Sequence, residues 1–192
     1  MGASGGDNKT GLLVIDMISD FRFEDAVELF PFALQAAECI RGLKREAKAA
    51  EVPVIYVNDN FGKWHHDFKT ITEFARETEK GRALADLIEP EDDDYFVLKP
   101  MHSAFYSTAL EVLLEHLEIK KLILTGVTSD ICVLFSANDA YMRGYELIIP
   151  EDCVAAVRKE QNEYALEYME RVLKADTRGA TKLQLSSLAK AR

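Results

Sequence analysis

Three polar side chains of different chemistry stand just beyond short apolar runs. Asp16 follows residues 12–15, Lys99 follows 95–98, and Cys132 follows 122–124 and the turn 126–130. A cysteine becomes a nucleophile when its thiol loses a proton, and a helix N-terminus or a neighbouring ammonium favours that loss. Cys132 falls at the expected start of a helix, with Ser129 or Asp130 available as N-cap. A nearby Lys99 would lower the thiol pKa further. Asp16 would take the thiol proton and deliver it to a leaving group, while backbone N–H groups of the turn could hold an oxyanion. Taken singly, each residue also has an ordinary role: cysteines bury readily, aspartates cap loops and terminal lysines are solvated. Their coincidence at the ends of three runs is what points to covalent catalysis.

For these residues to converge, the runs must be strands that end along one edge. Residues 12–15, 54–57, 95–98, 122–124 and 146–149 are short, largely β-branched or aromatic, and continuously apolar rather than alternating. That pattern suits strands buried on both faces of a parallel sheet. Between them, Leu34, Ala37, Ile40, Leu43 and Ala47 fall at helical spacing. So do Leu110, Leu113, Leu114 and Leu117, then Ala137, Ala140 and Tyr141, then Ala165, Met169, Val172 and Leu173. Strand and helix in alternation give a doubly wound α/β domain with helices on both faces. Residues 1–10 read as a polar lead-in and 11–192 as one domain. The stretch 58–94 is the least regular, and a loop from Asn58 through Asp67 would overhang the carboxyl ends of the strands, where such sheets bind ligands.

With 192 residues the chain is long enough to bury a core without disulfides. Its net charge of −10 argues against nucleic-acid and anionic-membrane partners. No apolar run is long enough to span a membrane, and no secretory leader pattern is present. Cys39, Cys132 and Cys153 fit neither a disulfide framework nor a zinc ribbon, which suggests a reducing, cytoplasmic setting. Neither a G-x-G-x-x-G nor a P-loop pattern follows any strand, so a nucleotide site is not expected.

The segments VIDMISDF (14–21), LKPMHSAFYST (98–108) and TGVTSDICVLFSANDAYMRGYELIIPEDCVAA (125–156) resemble those of the isochorismatase-like cysteine hydrolases, in the family's order and spacing. The resemblance implies a three-layer α/β/α sandwich with a mostly parallel, Rossmann-like sheet ordered 3-2-1-4-5-6. It implies a catalytic triad of Asp16, Lys99 and Cys132. It also implies a cis peptide at Val127–Thr128 that aims the Thr128 N–H, beside that of Cys132, at the oxyanion. The implied activity is cleavage of a C–N bond, amide or ureido, in a small-molecule substrate through a cysteine thioester. No organic cofactor is called for, and family members are often dimers or tetramers.

Departures from the family pattern bear on substrate. Position 18 is Ile where the first motif usually places Gln, and Asp59 is followed by Asn60 and Phe61, without the first histidine of the nicotinamidase metal motif. His65 and His66 are adjacent, a poor geometry for sharing one metal, so no metal is assigned. Vinyl-ether hydrolysis with Asp16 as general acid, nicotinamide hydrolysis, and a non-catalytic binding role remain alternatives. Phe21, Asn60, Phe61, Trp64 and Phe105 are candidate substrate contacts, with Trp64 equally a lid or an oligomer contact. Lys63 and Arg22 could meet a carboxylate but suit solvent better. His102 could reach the site but suits a hydrogen-bonded structural role better, His116 reads as structural, Cys39 as core, and Asp92-Asp93-Asp94 as a solvated acidic turn.

Overall fold

The computed structural model describes residues 9–62, 64–65 and 67–185. Six parallel strands form one sheet: β1 (Lys9–Ile15), β2 (Val54–Asp59), β3 (Tyr95–Lys99), β4 (Ile119–Val127), β5 (Glu146–Ile148) and β6 (Val154–Ala155). The order is β3-β2-β1-β4-β5, with pairings such as Leu12 to both Val54 and Ile123, and Val57 to Val97. β6 does not extend that order. It pairs with β4, Gly126 opposite Val154, because β5 stops after three residues and frees the last part of β4. The position outside β5 is taken by the segment at Asp176, bridged to Ile148. The first strand begins at Lys9, two residues inside the expected lead-in, and Thr10 is buried within it. Residues 1–8 of that lead-in and 186–192 of the expected domain lie outside the described residues.

Alternation along each strand sends neighbouring side chains to opposite faces, and each face carries its own helices. Leu12, Val14, Val54, Tyr56 and Ile123 pack against α1 (Ala26–Ala49), α2 (Phe68–Ala75) and α3 (Glu79–Leu87). Leu13, Ile15, Ile55, Val57, Leu122 and Leu124 pack against α4 (Leu110–His116), α5 (Leu134–Met142) and α6 (Lys159–Leu173). The result is the three-layer sandwich implied by the family resemblance, with helices on both faces as the strand and helix pattern predicts.

The region 58–94 is more ordered than its sequence suggests. Asn58 and Asp59 complete β2, and two short helices follow. Asp67 starts α2 by accepting from the Thr70 N–H, and Thr78 starts α3 by accepting from that of Gly81. The acidic turn is not simply solvated. Asp94 is buried, with its carboxylate 2.8 Å from the Lys44 ammonium and 2.6 Å from that of Lys48. Lys44 also donates to the Glu89 carbonyl, which ties α1 to the turn before β3.

Candidate active site

Because β1, β3 and β4 run parallel, their carboxyl ends share one edge, and the side chains that follow them meet there. Gly126 makes this closure feasible. Its φ is +116°, and a Cβ would lie 2.0 Å from the Ile15 carbonyl oxygen, so only glycine lets β4 turn this close to the end of β1. The Val127–Thr128 peptide that follows is cis. Next comes a five-residue π-helical turn, Ser129–Val133, that carries Cys132 and continues into α5. Ser136 fastens this turn to the loop after β3: its hydroxyl donates to the Cys132 carbonyl and accepts from the Ala104 N–H.

Lys99 is fully buried, and its ammonium sits between two acids and the thiol. It lies 2.7 Å from Asp16 Oδ2, 3.7 Å from Asp59 Oδ2 and 3.6 Å from Cys132 Sγ, and it donates to the Met101 carbonyl. Asp16 is fixed by a second contact, its Oδ1 accepting from the Asp59 N–H at 2.7 Å. Burial opposes the Lys99 charge, but the Asp16 carboxylate and its neighbours outweigh that and raise its pKa. Burial raises the Asp16 carboxyl despite the ammonium beside it.

The thiol corrects an expectation. Burial, reinforced by the Asp16 charge, pushes Cys132 up to about 12, more than Lys99 pulls it down. The Cys132 thiol is therefore neutral at rest. Nor does Ser129 or Asp130 cap the turn. Thr128 occupies the N-cap without a side-chain hydrogen bond, while Ser129 Oγ and Asp130 Oδ1 are buried without a protein partner among the described residues.

A cavity of about 480 Å³ opens onto Asp16, Asp59, Thr128 and Cys132. Phe21 and Phe61 line it, as their sequence positions suggested. Both adopt positive φ, 55° and 50°, at a cost of about 1 kcal/mol each. Each is held there by the side chain two residues earlier. Ser19 Oγ accepts from the Phe21 N–H, and Asp59 Oδ1 accepts from the Phe61 N–H.

Three other expected contacts lie elsewhere. Asn60 is buried but accepts from the Gly62 N–H and does not line the cavity. Phe105 points into the core beside Leu110 and Tyr145, with the Arg143 guanidinium over its ring. Trp64 is 76% exposed and lines no part of the cavity. His65 is exposed and apart from it, Lys63 and His66 lie outside the described residues, and among the described residues no group of three or more His, Cys, Asp or Glu could hold a metal.

Sequence reasoning also missed contributors. His102, for which the sequence favours a structural role over reach into the site, lines the cavity with Nδ1 4.0 Å from Sγ and its ring against Phe135. Its place three residues beyond Lys99 was the available signal. Asn58 clamps the segment after β1 by bonding both the N–H and the carbonyl of Ile18, whose side chain is buried in the core. Phe23, Asp25, Leu29, Ile131 and Val157 complete much of the wall, brought in by α1, the π-helical turn and the segment after β6.

Comparison with known proteins fits this geometry. A Bacillus subtilis isochorismatase family protein, YaaI, itself described as uncharacterized, is 45% identical over 165 residues, covering 86% of this chain and 91% of its own length. The ureidoacrylate amidohydrolase RutB of Agrobacterium fabrum is 27% identical over 171 residues, 76% of this chain and 75% of its own. The crystal structure of N-carbamoylsarcosine amidase from Thermoplasma acidophilum superposes with a TM-score of 0.72 at 29% identity, covering 92% of this chain and 99% of that one. Residues 10–180 match the family model of the isochorismatase domain, and with that span this chain belongs to the isochorismatase family of hydrolases.

Proposed function

We propose that the protein is a cysteine hydrolase that cleaves a C–N bond of a small amide or ureido compound. The observation that carries this reading is the position of the Lys99 ammonium, 2.7 Å from Asp16 and 3.6 Å from the Cys132 sulfur at the wall of a cavity. Two similar proteins, an amidohydrolase and an amidase, lend support to C–N chemistry.

Cys132 attacks the carbonyl carbon as Asp16 takes the thiol proton, so the thiolate is made only as it is used. The carbonyl electrons move to oxygen, and the backbone N–H groups of Thr128 and Cys132 hold the resulting oxyanion. As the C–N bond breaks, Asp16 gives its proton to the departing nitrogen. Water then adds to the thioester with Asp16 as base, the C–S bond breaks, and the proton returns to sulfur. Lys99 holds the carboxylate in place throughout and offsets the negative charge that passes between Asp16 and sulfur.

The same reading makes the protein a cytoplasmic homo-oligomer, a dimer or tetramer. Three unpaired cysteines fit a reducing compartment, and the exposed apolar side chains of Ile131, Phe135 and Met142 fit a covered face.

A screen for ammonia or amine release over small amides and ureido compounds tests the activity. Cys132→Ala and Asp16→Asn are each expected to lower turnover about 1,000-fold or more. Turnover that survives Cys132→Ala but is lost with Asp16→Asn would contradict the thioester and favour acid catalysis by Asp16.

A further inference from the structure

The charge on the cavity wall points to a class of ligand. Three carboxylates line it, Asp16, Asp25 and Asp59, and no arginine or lysine does so among the described residues. The nearest cation is Lys99, which lies behind the wall and is already engaged by Asp16 and Asp59. Counting Lys99 with the three acids, and leaving His102 at the wall out of the count, gives a net of two negative charges. Asp25 is exposed at the start of α1 and makes no cap hydrogen bond there, so its charge faces the opening rather than the helix. Of the arginines next to lining residues in sequence, Arg22 is turned to Glu77 and Asp20, and Arg158, which follows Val157, does not line the cavity.

The remaining wall is apolar, with Phe21, Phe23, Phe61 and Ile131 prominent. Aromatic faces attract cations and accept apolar groups, and they give nothing to a carboxylate. A carboxylate-bearing substrate would need a free cation or a cluster of free N–H donors to offset its desolvation.

We propose that this cavity selects neutral and cationic compounds with an apolar body and refuses those that carry a carboxylate. As a statement about substrates it rests on the reading of Cys132 as the attacking group. It narrows that reading to amides whose acyl portion is uncharged or positively charged.

The test uses alkylating reagents that differ in charge and need no knowledge of the substrate. Iodoacetamide, iodoacetate and a bromoacetamide bearing a trimethylammonium group are each reacted with the full-length protein at pH 8 and low salt. Adduct on the peptide that contains Cys132 is quantified by mass spectrometry, because Cys39 is also partly accessible. Each rate is divided by the rate of the same reagent with 2-mercaptoethanol. The normalised iodoacetate rate is expected to fall about tenfold or more below that of iodoacetamide, and the cationic reagent to exceed it by about threefold. Both differences are expected to shrink in 0.5 M salt, and Asp25→Asn to recover about threefold of the iodoacetate rate.

An iodoacetate rate equal to or above that of iodoacetamide would overturn the proposal, since it would mean that the Lys99 charge dominates the cavity. No change in Asp25→Asn would remove that carboxylate from it. Failure of the hydrolase reading registers separately: charge selectivity without release of ammonia or amine from any amide would contradict the activity and leave the selectivity standing.

Discussion

Removing the Cys132 proton in the resting site would place a second negative charge beside Asp16, in a buried setting with a single ammonium to share. Burial first, and then the Asp16 charge, push the thiol up to about 12, although a lysine and a helical turn both adjoin it. In the proposed mechanism attack and proton transfer are therefore concerted, with Asp16 as the base, and the pH dependence follows from the same groups. Asp16 is raised by burial, and below its pKa it holds a proton and cannot accept another, so kcat/KM falls as pH falls through that value. Its acid limb is expected above the ordinary aspartate value of about 3.9. Lys99 is raised above its ordinary value of about 10.4, which puts the alkaline limb beyond about pH 10 rather than near the free-thiol value of about 8.5. A kcat/KM profile measured from pH 4 to 11 checks both limbs. An alkaline limb near 8.5 would mean that the thiol ionises before attack.

Among elements, the segment between β1 and α1 owes its shape to side chains far along the chain. Asn58 bonds Ile18 from the end of β2, and Thr78 donates to the Asp20 carbonyl while capping α3. Thr78→Ala removes both of these bonds. It is expected to cost about 1–2 kcal/mol in denaturant unfolding, and to raise KM more than it lowers kcat, because Phe21 lies in the segment it steadies. A loss of kcat with unchanged KM would argue that this segment does not hold substrate.

Much of this level was legible beforehand. The strands announced themselves as continuous apolar runs, and α4 and α6 as stripes at helical spacing. α2 and α3 were hidden because each is short and begins from a polar cap amid charged residues, where a stripe has no room to repeat. α1 extends eight residues earlier than its stripe, through Pro31, because Ala26 and Leu29 also pack on the sheet.

On the scale of the whole molecule, one parallel sheet brings residues 16, 99 and 132 to a single edge, and this too could be read from the order of strands and motifs. The distribution of the pocket wall could not. Phe105 lies in the motif that carries Lys99 yet serves the core, since the chain after Lys99 turns down onto α4 and α5. Asp94 was equally opaque: its acidic neighbours suggest solvent, while the lysines that bury it stand on α1, fifty and forty-six positions before it. Such pairings arise from packing across layers and leave no local pattern.

Intact-protein mass spectrometry after rapid acid quench tests the proposed covalent step at Cys132 most directly. With any amide found to release ammonia or amine, the wild-type protein should gain the mass of the acyl group within the first turnover. The added mass should map to the peptide containing Cys132, and should be absent from Cys132→Ala. Steady turnover with no adduct at any quench time, coupled with retained turnover in Cys132→Ala, would contradict the thioester mechanism.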